Sequence, residues 1–158
     1  MRKIALGAAA VAALAASPAV AGTATGTVEV SLNVSAACSV TAEPLAFGTV
    51  SAFDSVVDAS SPTTVKCTPS AAYTVNLDYG VNPVGTQRKL KSTTGTATVN
   101  YNLFSDSART APWGGTLSGV TGIGNGSDQP MTIFGQVPVQ PAVAAGDYKD
   151  TVTVTVNY

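Results

Sequence analysis

The chain contains no histidine in 158 residues, which excludes more chemistry than any motif in it suggests. Without imidazole there is no Ser-His-Asp or Cys-His nucleophilic arrangement and no histidine-ligated metal centre. Charge is scarce as well, with 11% of residues Asp, Glu, Lys or Arg. The one basic cluster, Arg88-Lys89-Lys91, reads as a solvated loop or strand edge, so no nucleic-acid partner is expected. The acids are Glu29, Glu43 and seven aspartates, mostly beside Gly, Ser or Thr. Aspartate favours such turns for its local hydrogen bonds, so a glycosidase-type carboxylate pair is not the expected reading. Gly122-Ile123-Gly124-Asn125-Gly126 lacks the spacing of a phosphate-binding loop, and Ser127-Asp128-Gln129-Pro130 does not open a helix. No catalytic residue, metal site or cofactor is expected, and the chain does not read as an enzyme. Asn33-Val34-Ser35 and Asn125-Gly126-Ser127 match the frequent N-glycosylation pattern. The lone Trp113, before Gly114, reads as packing, with a sugar-stacking platform as the alternative.

What is present starts with a targeting segment. Arg2 and Lys3 precede the apolar run Ile4 to Ala16, and Ala19-Val20-Ala21 offers an A-x-A cleavage site, so residues 1–21 read as a signal peptide. The run falls short of the about 20 apolar residues that span a bilayer. No cysteine stands at the cleavage point, so the expectation is an exported, soluble chain without a lipid anchor or membrane insertion after cleavage. Removing Arg2 and Lys3 leaves six of the eight basic residues against nine acidic ones, a net charge near −3. Cys38 and Cys67, an even pair in an oxidising compartment, read as one disulfide. Closing a loop of about 30 residues, it stabilises by ~3–4 kcal/mol on the chain-entropy account.

No segment after the signal shows helical periodicity; strand signals recur instead. Val28, Val30, Leu32 and Val34 alternate with Glu29, Ser31 and Asn33. Tyr73, Val75, Leu77 and Tyr79 form a second alternating run; Val99, Tyr101 and Leu103 form a third. Met131 and Ile133 make a shorter one, and Tyr148 leads to Val152, Val154 and Val156, alternating with threonines up to Tyr158. Turns are expected at Ser60-Ser61-Pro62, Tyr79-Gly80 to Gly85, Pro112-Trp113-Gly114-Gly115 and Gly122 to Pro130. Short strands, turn signals and one disulfide imply an all-β antiparallel sandwich of one domain. Pattern alone leaves open whether the Val28–Val34 run is the first strand of a self-complete sandwich or is buried in a neighbour.

The C-terminal Gly146-Asp147-Tyr148-Lys149-Asp150-Thr151-Val152-Thr153-Val154-Thr155-Val156-Asn157-Tyr158 closely resembles the terminus of the spore coat U family, which includes major pilins of archaic (Csu-type) chaperone–usher pili. Arg88, then Tyr101-Asn102-Leu103-Phe104-Ser105-Asp106-Ser107-Ala108-Arg109, then Trp113-Gly114 resemble its Arg, Y-N-L-Y-x-D-x-x-R and W-G pattern, with Phe104 in the usual Tyr place. Cys38 and Cys67 match its cysteine pair, and Val30 to Cys38 resembles the mature N-terminus of the major pilin. The resemblance implies an incomplete immunoglobulin-like sandwich lacking its last strand. In that family a periplasmic chaperone lends the missing strand, and at the outer-membrane usher the next subunit's N-terminal strand replaces it. Transferred here, residues 22–34 are a donor extension and 35–158 the sandwich domain. Ala24, Gly26, Val28, Val30 and Leu32 are the donor positions, with Gly26 entering a shallow pocket. Val152, Val154, Val156 and Tyr158 line the strand beside the acceptor groove, and a strand ending at Tyr158 leaves no residues for a partner beyond it. The expected partners are copies of the chain joined head-to-tail, the chaperone and the usher. The expected location is an extracellular pilus, reached through the periplasm, supporting adhesion and biofilm formation. The competing readings are a self-complete secreted coat or matrix protein and a sugar-binding module centred on Trp113.

Overall fold

The structure is a computed structural model describing residues 20–115 and 118–158; the expected signal segment lies almost wholly outside the described residues. The chain divides into two units, residues 1–33 and 34–158. In the first, residues 20–33 form no strand and are exposed throughout.

The second unit is all-β, an immunoglobulin-like sandwich, with no helix among the described residues. Its strands are β1 (Cys38–Ala42), β2 (Val57–Cys67), β3 (Ala72–Leu77), β4 (Arg88–Ser92), β5 (Thr98–Phe104), β6 (Val120–Ile123), β7 (Gln129–Val137), β8 (Tyr148–Lys149) and β9 (Val154–Asn157). Six form one antiparallel sheet in the order β1-β2-β7-β5-β4-β8, and three form the other in the order β6-β3-β9. The period-two pattern places the core. Val65 and Cys67 of β2, Val99, Tyr101 and Leu103 of β5, and Ile133 and Val137 of β7 are buried, as are Tyr73, Val75 and Leu77 of β3. Leu45 and Phe47, from the connection after β1, pack over Gly135 of β7, where any Cβ would meet them at 2.9 Å. Phe47 also meets Tyr101 edge-on, with ring centroids 6.2 Å apart.

The disulfide joins Cys38 to Cys67, residues directly opposite in the β1–β2 ladder. It therefore ties the outermost strand of the large sheet to its neighbour.

Two expectations are corrected. Ser60-Ser61-Pro62 is no turn but the middle of β2. Glu43 N–H donates to the Pro62 carbonyl, and the Ser61 hydroxyl donates to the Glu43 carbonyl. The hydroxyl thus serves the acceptor that the missing proline N–H would have served, so the strand passes through its proline intact. The C-terminal alternation is also not one strand: β8 pairs with β4 in the large sheet and β9 with β3 in the small one. The chain changes sheet between them, at Asp150 to Thr153.

Candidate functional site

One edge of the sandwich is open. β9 pairs with β3 through Val154↔Leu77 and Val156↔Val75, and its other edge has no partner strand among the described residues. Val152, Val154 and Val156 are half-buried against the core, while Tyr158 stands 62% exposed. β1, the edge of the large sheet, runs near β9, and its inward Cys38 and Val40 are likewise only partly covered. The result is an apolar rim beside a row of free backbone donors and acceptors, a template for an incoming strand. A separate cavity of about 790 Å³ opens between residues 44–53 and 142–149, floored by Leu90, Val99 and Val137.

The N-terminal positions are the opposite case, an apolar stripe without a core. Val28, Val30 and Leu32 are 86%, 89% and 89% exposed, and nothing lies within 4 Å of where a Gly26 side chain would project. Ala24 is exposed too. Among the described residues no ladder begins before Cys38.

A polar lock fixes the approach to β9. Asp150 sits at the sheet change. Its Oδ2 accepts from the Tyr101 hydroxyl at 2.6 Å, and its Oδ1 accepts from the Val81 N–H at 3.0 Å and Asn82 Nδ2 at 3.1 Å. Gly80 closes over it with φ +82°, and a Cβ there would fall 2.0 Å from Asp150 Oδ2, so only glycine fits. Beside it Arg88 is buried. Its Nε donates to the Asp78 carbonyl at 2.9 Å and its Nη2 to the Trp113 carbonyl at 2.9 Å, while the guanidinium lies over the Tyr79 ring. Asp78 in turn accepts from the N–H groups of Gly80 and Thr153, both at 2.9 Å, holding the start of β9.

The pKa directions follow from this packing. Burial raises the Tyr101 hydroxyl far above the ordinary tyrosine value, reinforced by its bond to the Asp150 carboxylate. Burial pulls Arg88 below the usual arginine range, opposed by Tyr101, Asp78, Tyr79 and Asp150. For Asp78 burial acts upward, but hydrogen bonds from Thr153 and Gly80 and the charge of Arg88 outweigh it and the value falls.

Arg88 is thus no solvated edge residue, since a buried guanidinium needs the carbonyls that surround it. Trp113 is 1% exposed and donates its indole N–H to the Val75 carbonyl at 3.0 Å, leaving no open ring face for a sugar. Asp106 accepts from Thr110 and Ala111 and closes the turn after β5, which lowers its pKa, with the Thr110 side-chain bond as the largest cause. Arg109, at φ 57°, bonds Asp58 and the Gly135 carbonyl. The motif residues are therefore structural. Sequence reading missed the part played by Asp150; its only signal is a carboxylate interrupting an otherwise valine–threonine alternation. No cluster of His, Cys, Asp or Glu able to hold a metal occurs among the described residues. Nor is any helix there long and apolar enough to cross a membrane.

Fold and edge together define a class: a disulfide-tied, immunoglobulin-like β-sandwich with an open strand edge. The chain belongs to the spore coat protein U family, the Spore Coat Protein U domain matching residues 24–155. It is 30% identical over 162 residues to Protein U of Myxococcus xanthus, covering 90% of this chain and 89% of that protein. Among solved structures it resembles a chain of the CsuC–CsuE chaperone–tip adhesion subunit pre-assembly complex from the archaic chaperone–usher Csu pili of Acinetobacter baumannii. That match has a TM-score of 0.59 and 31% identity over 79% of this chain and 40% of that one, so this chain spans less than half of that chain's length. The family is named for a spore coat protein and the solved relative comes from a pilus subunit complex; neither is an enzyme, and neither is this chain.

Proposed function

We propose that the chain is a chaperone–usher pilus subunit that polymerises head-to-tail by donor-strand exchange. The observation that carries this is the coexistence of an exposed apolar stripe at residues 24–32 with an unpartnered β9 edge beside a half-covered core. Ala24, Gly26, Val28, Val30 and Leu32 of one subunit enter the groove along Val152, Val154, Val156 and Tyr158 of the next. Burying Val28, Val30 and Leu32 at ~1.5–3 kcal/mol each stabilises the joint by roughly 5–9 kcal/mol gross, before backbone hydrogen bonds are added. The joint is heterologous, so it propagates into a filament rather than closing into a dimer. Before assembly a periplasmic chaperone covers the same edge, and an outer-membrane usher exchanges it. Residues 1–21 direct export, 22–34 are the donor extension and 35–158 the sandwich. The filament is extracellular and supports adhesion and biofilm formation. The match to a chain from a chaperone–pilus subunit complex supports this reading.

Deleting residues 22–32 is the test: the truncated subunit should still bind its chaperone and should not polymerise. Filaments of normal length from the truncation would contradict the proposal. A self-complete coat protein is the second reading, favoured by the family's name and by the similarity to Protein U. Against it stands the lack of any ladder for residues 20–37 among the described residues.

A further inference from the structure

The basic residues of the described chain are unevenly paired. Lys66 meets Asp128 and Arg109 meets Asp58, while Arg88 is buried on carbonyls. The remaining cations, Lys89, Lys91 and Lys149, form no ion pair among the described residues, and all three lie at one corner of the large sheet. Lys91 stands directly opposite Lys149 in the β4–β8 ladder, and Lys89 lies two residues along β4 on the same face. Leu90 and Tyr148 turn to the core, so their lysine neighbours turn outward. Like charges directly opposite each other destabilise a ladder. A chain with more acid than base therefore gathers its unpaired cations where they repel, although the inward contact of β8 comes from Tyr148 and requires no lysine beside it. Asn100 faces Lys89 across the ladder and Thr98 faces Lys91, extending the corner into a shelf of amide and hydroxyl groups. Asp147, two residues from Lys149, makes no ion pair with the cluster.

We propose that this corner binds an acidic polysaccharide, with carboxylates on the ammonium groups of Lys89, Lys91 and Lys149 and sugar hydroxyls on Asn100 and Thr98. Three point charges among neutral hydrogen-bonding groups suit spaced carboxylates on a hydroxyl-rich chain. A nucleic acid would call for a longer basic track and exposed aromatic stacking faces, and on the outward face of β4, β5 and β8 the one aromatic ring, Phe104 at the end of β5, is buried. The inference rests on the β4–β5 and β4–β8 ladders and stands apart from the pilus reading.

The test is titration of the full mature chain with polygalacturonate at about 50 mM and about 200 mM salt, with single-stranded DNA as the competing polyanion. Binding is expected at the lower salt, at least about tenfold weaker at the higher. The triple substitution Lys89→Gln, Lys91→Gln, Lys149→Gln should weaken it about tenfold or more, while Lys66→Gln leaves it unchanged. Relief of the cross-strand repulsion should also make Lys149→Gln melt about 1–4 °C higher than wild type. Unaltered affinity in the triple variant would overturn the proposal, as would no binding at low salt or tighter binding to DNA. A lower melting temperature for Lys149→Gln would remove its premise.

Discussion

Asp150→Ala should destabilise the sandwich by about 3 kcal/mol, because the carboxylate closes the lock through which the chain passes from one sheet to the other. The figure comes from its three bonds: the Tyr101 hydroxyl at 2.6 Å, the Val81 N–H at 3.0 Å and Asn82 Nδ2 at 3.1 Å. Tyr101 is 4% exposed, so losing its charged partner strands a buried donor, worth about 2 kcal/mol. The two more exposed bonds add about 1 kcal/mol together. Tyr101→Phe should cost about 2 kcal/mol, and the double variant little more than Asp150→Ala alone, a coupling of about 1–2 kcal/mol. Gly80→Ala supplies a steric cross-check. In the wild-type background its Cβ would fall 2.0 Å from Asp150 Oδ2. In the Asp150→Ala background that collision is gone, and only the left-handed backbone strain of about 1–2 kcal/mol remains. Equilibrium urea unfolding followed by circular dichroism measures all of these. An Asp150→Ala variant within about 0.5 kcal/mol of wild type, or strict additivity with Tyr101→Phe, would refute the reasoning.

Replacing both cysteines with serine should lower stability by about 3–4 kcal/mol and let β1 separate from β2, read by faster amide exchange at Ser39 and Thr41. Trp113→Phe should cost about 2–3 kcal/mol in the same unfolding assay, since it removes the indole hydrogen bond to the Val75 carbonyl and opens space in the core. The Tyr101 pKa is raised in the folded state, so its contribution is complete below about pH 10 and declines as pH rises further; Tyr101→Phe should flatten that alkaline slope. The Asp78 pKa is lowered, so its contribution is present above about pH 3.9 and is lost as pH falls through the folded value, a loss that Asp78→Asn should remove.

The elements legible in the sequence were those whose one-sided burial imposes a period of two. The cores of β3, β5 and β7 coincide with the Tyr73, Val99 and Met131 runs, and the cysteine count pointed to the bridge that joins β1 to β2. β2 was hidden because Ser61 and Pro62 have turn composition, and only a hydrogen bond to Glu43, eighteen residues away, explains why the strand continues. The division of the C-terminal run was hidden similarly, since Asp150 finds its partners at Tyr101, Val81 and Asn82. Arg88 read as solvated because charge beside charge normally is. Its burial depends on the Asp78 and Trp113 carbonyls, which the fold alone brings together. At the candidate site the apolar spacing of both strands is visible along the chain, whereas the lock that positions β9 depends on contacts that no local pattern encodes.

The central claim is that the apolar stripe of one subunit completes the sandwich of the next, and electron cryomicroscopy of assembled filaments tests it most directly. The account predicts an added strand, residues 24–32 of the neighbouring subunit, hydrogen-bonded along Val154–Asn157, with Val28, Val30 and Leu32 turned into the core. Density in which residues 24–32 stay with their own subunit, or in which the β9 edge remains bare within the filament, would contradict it.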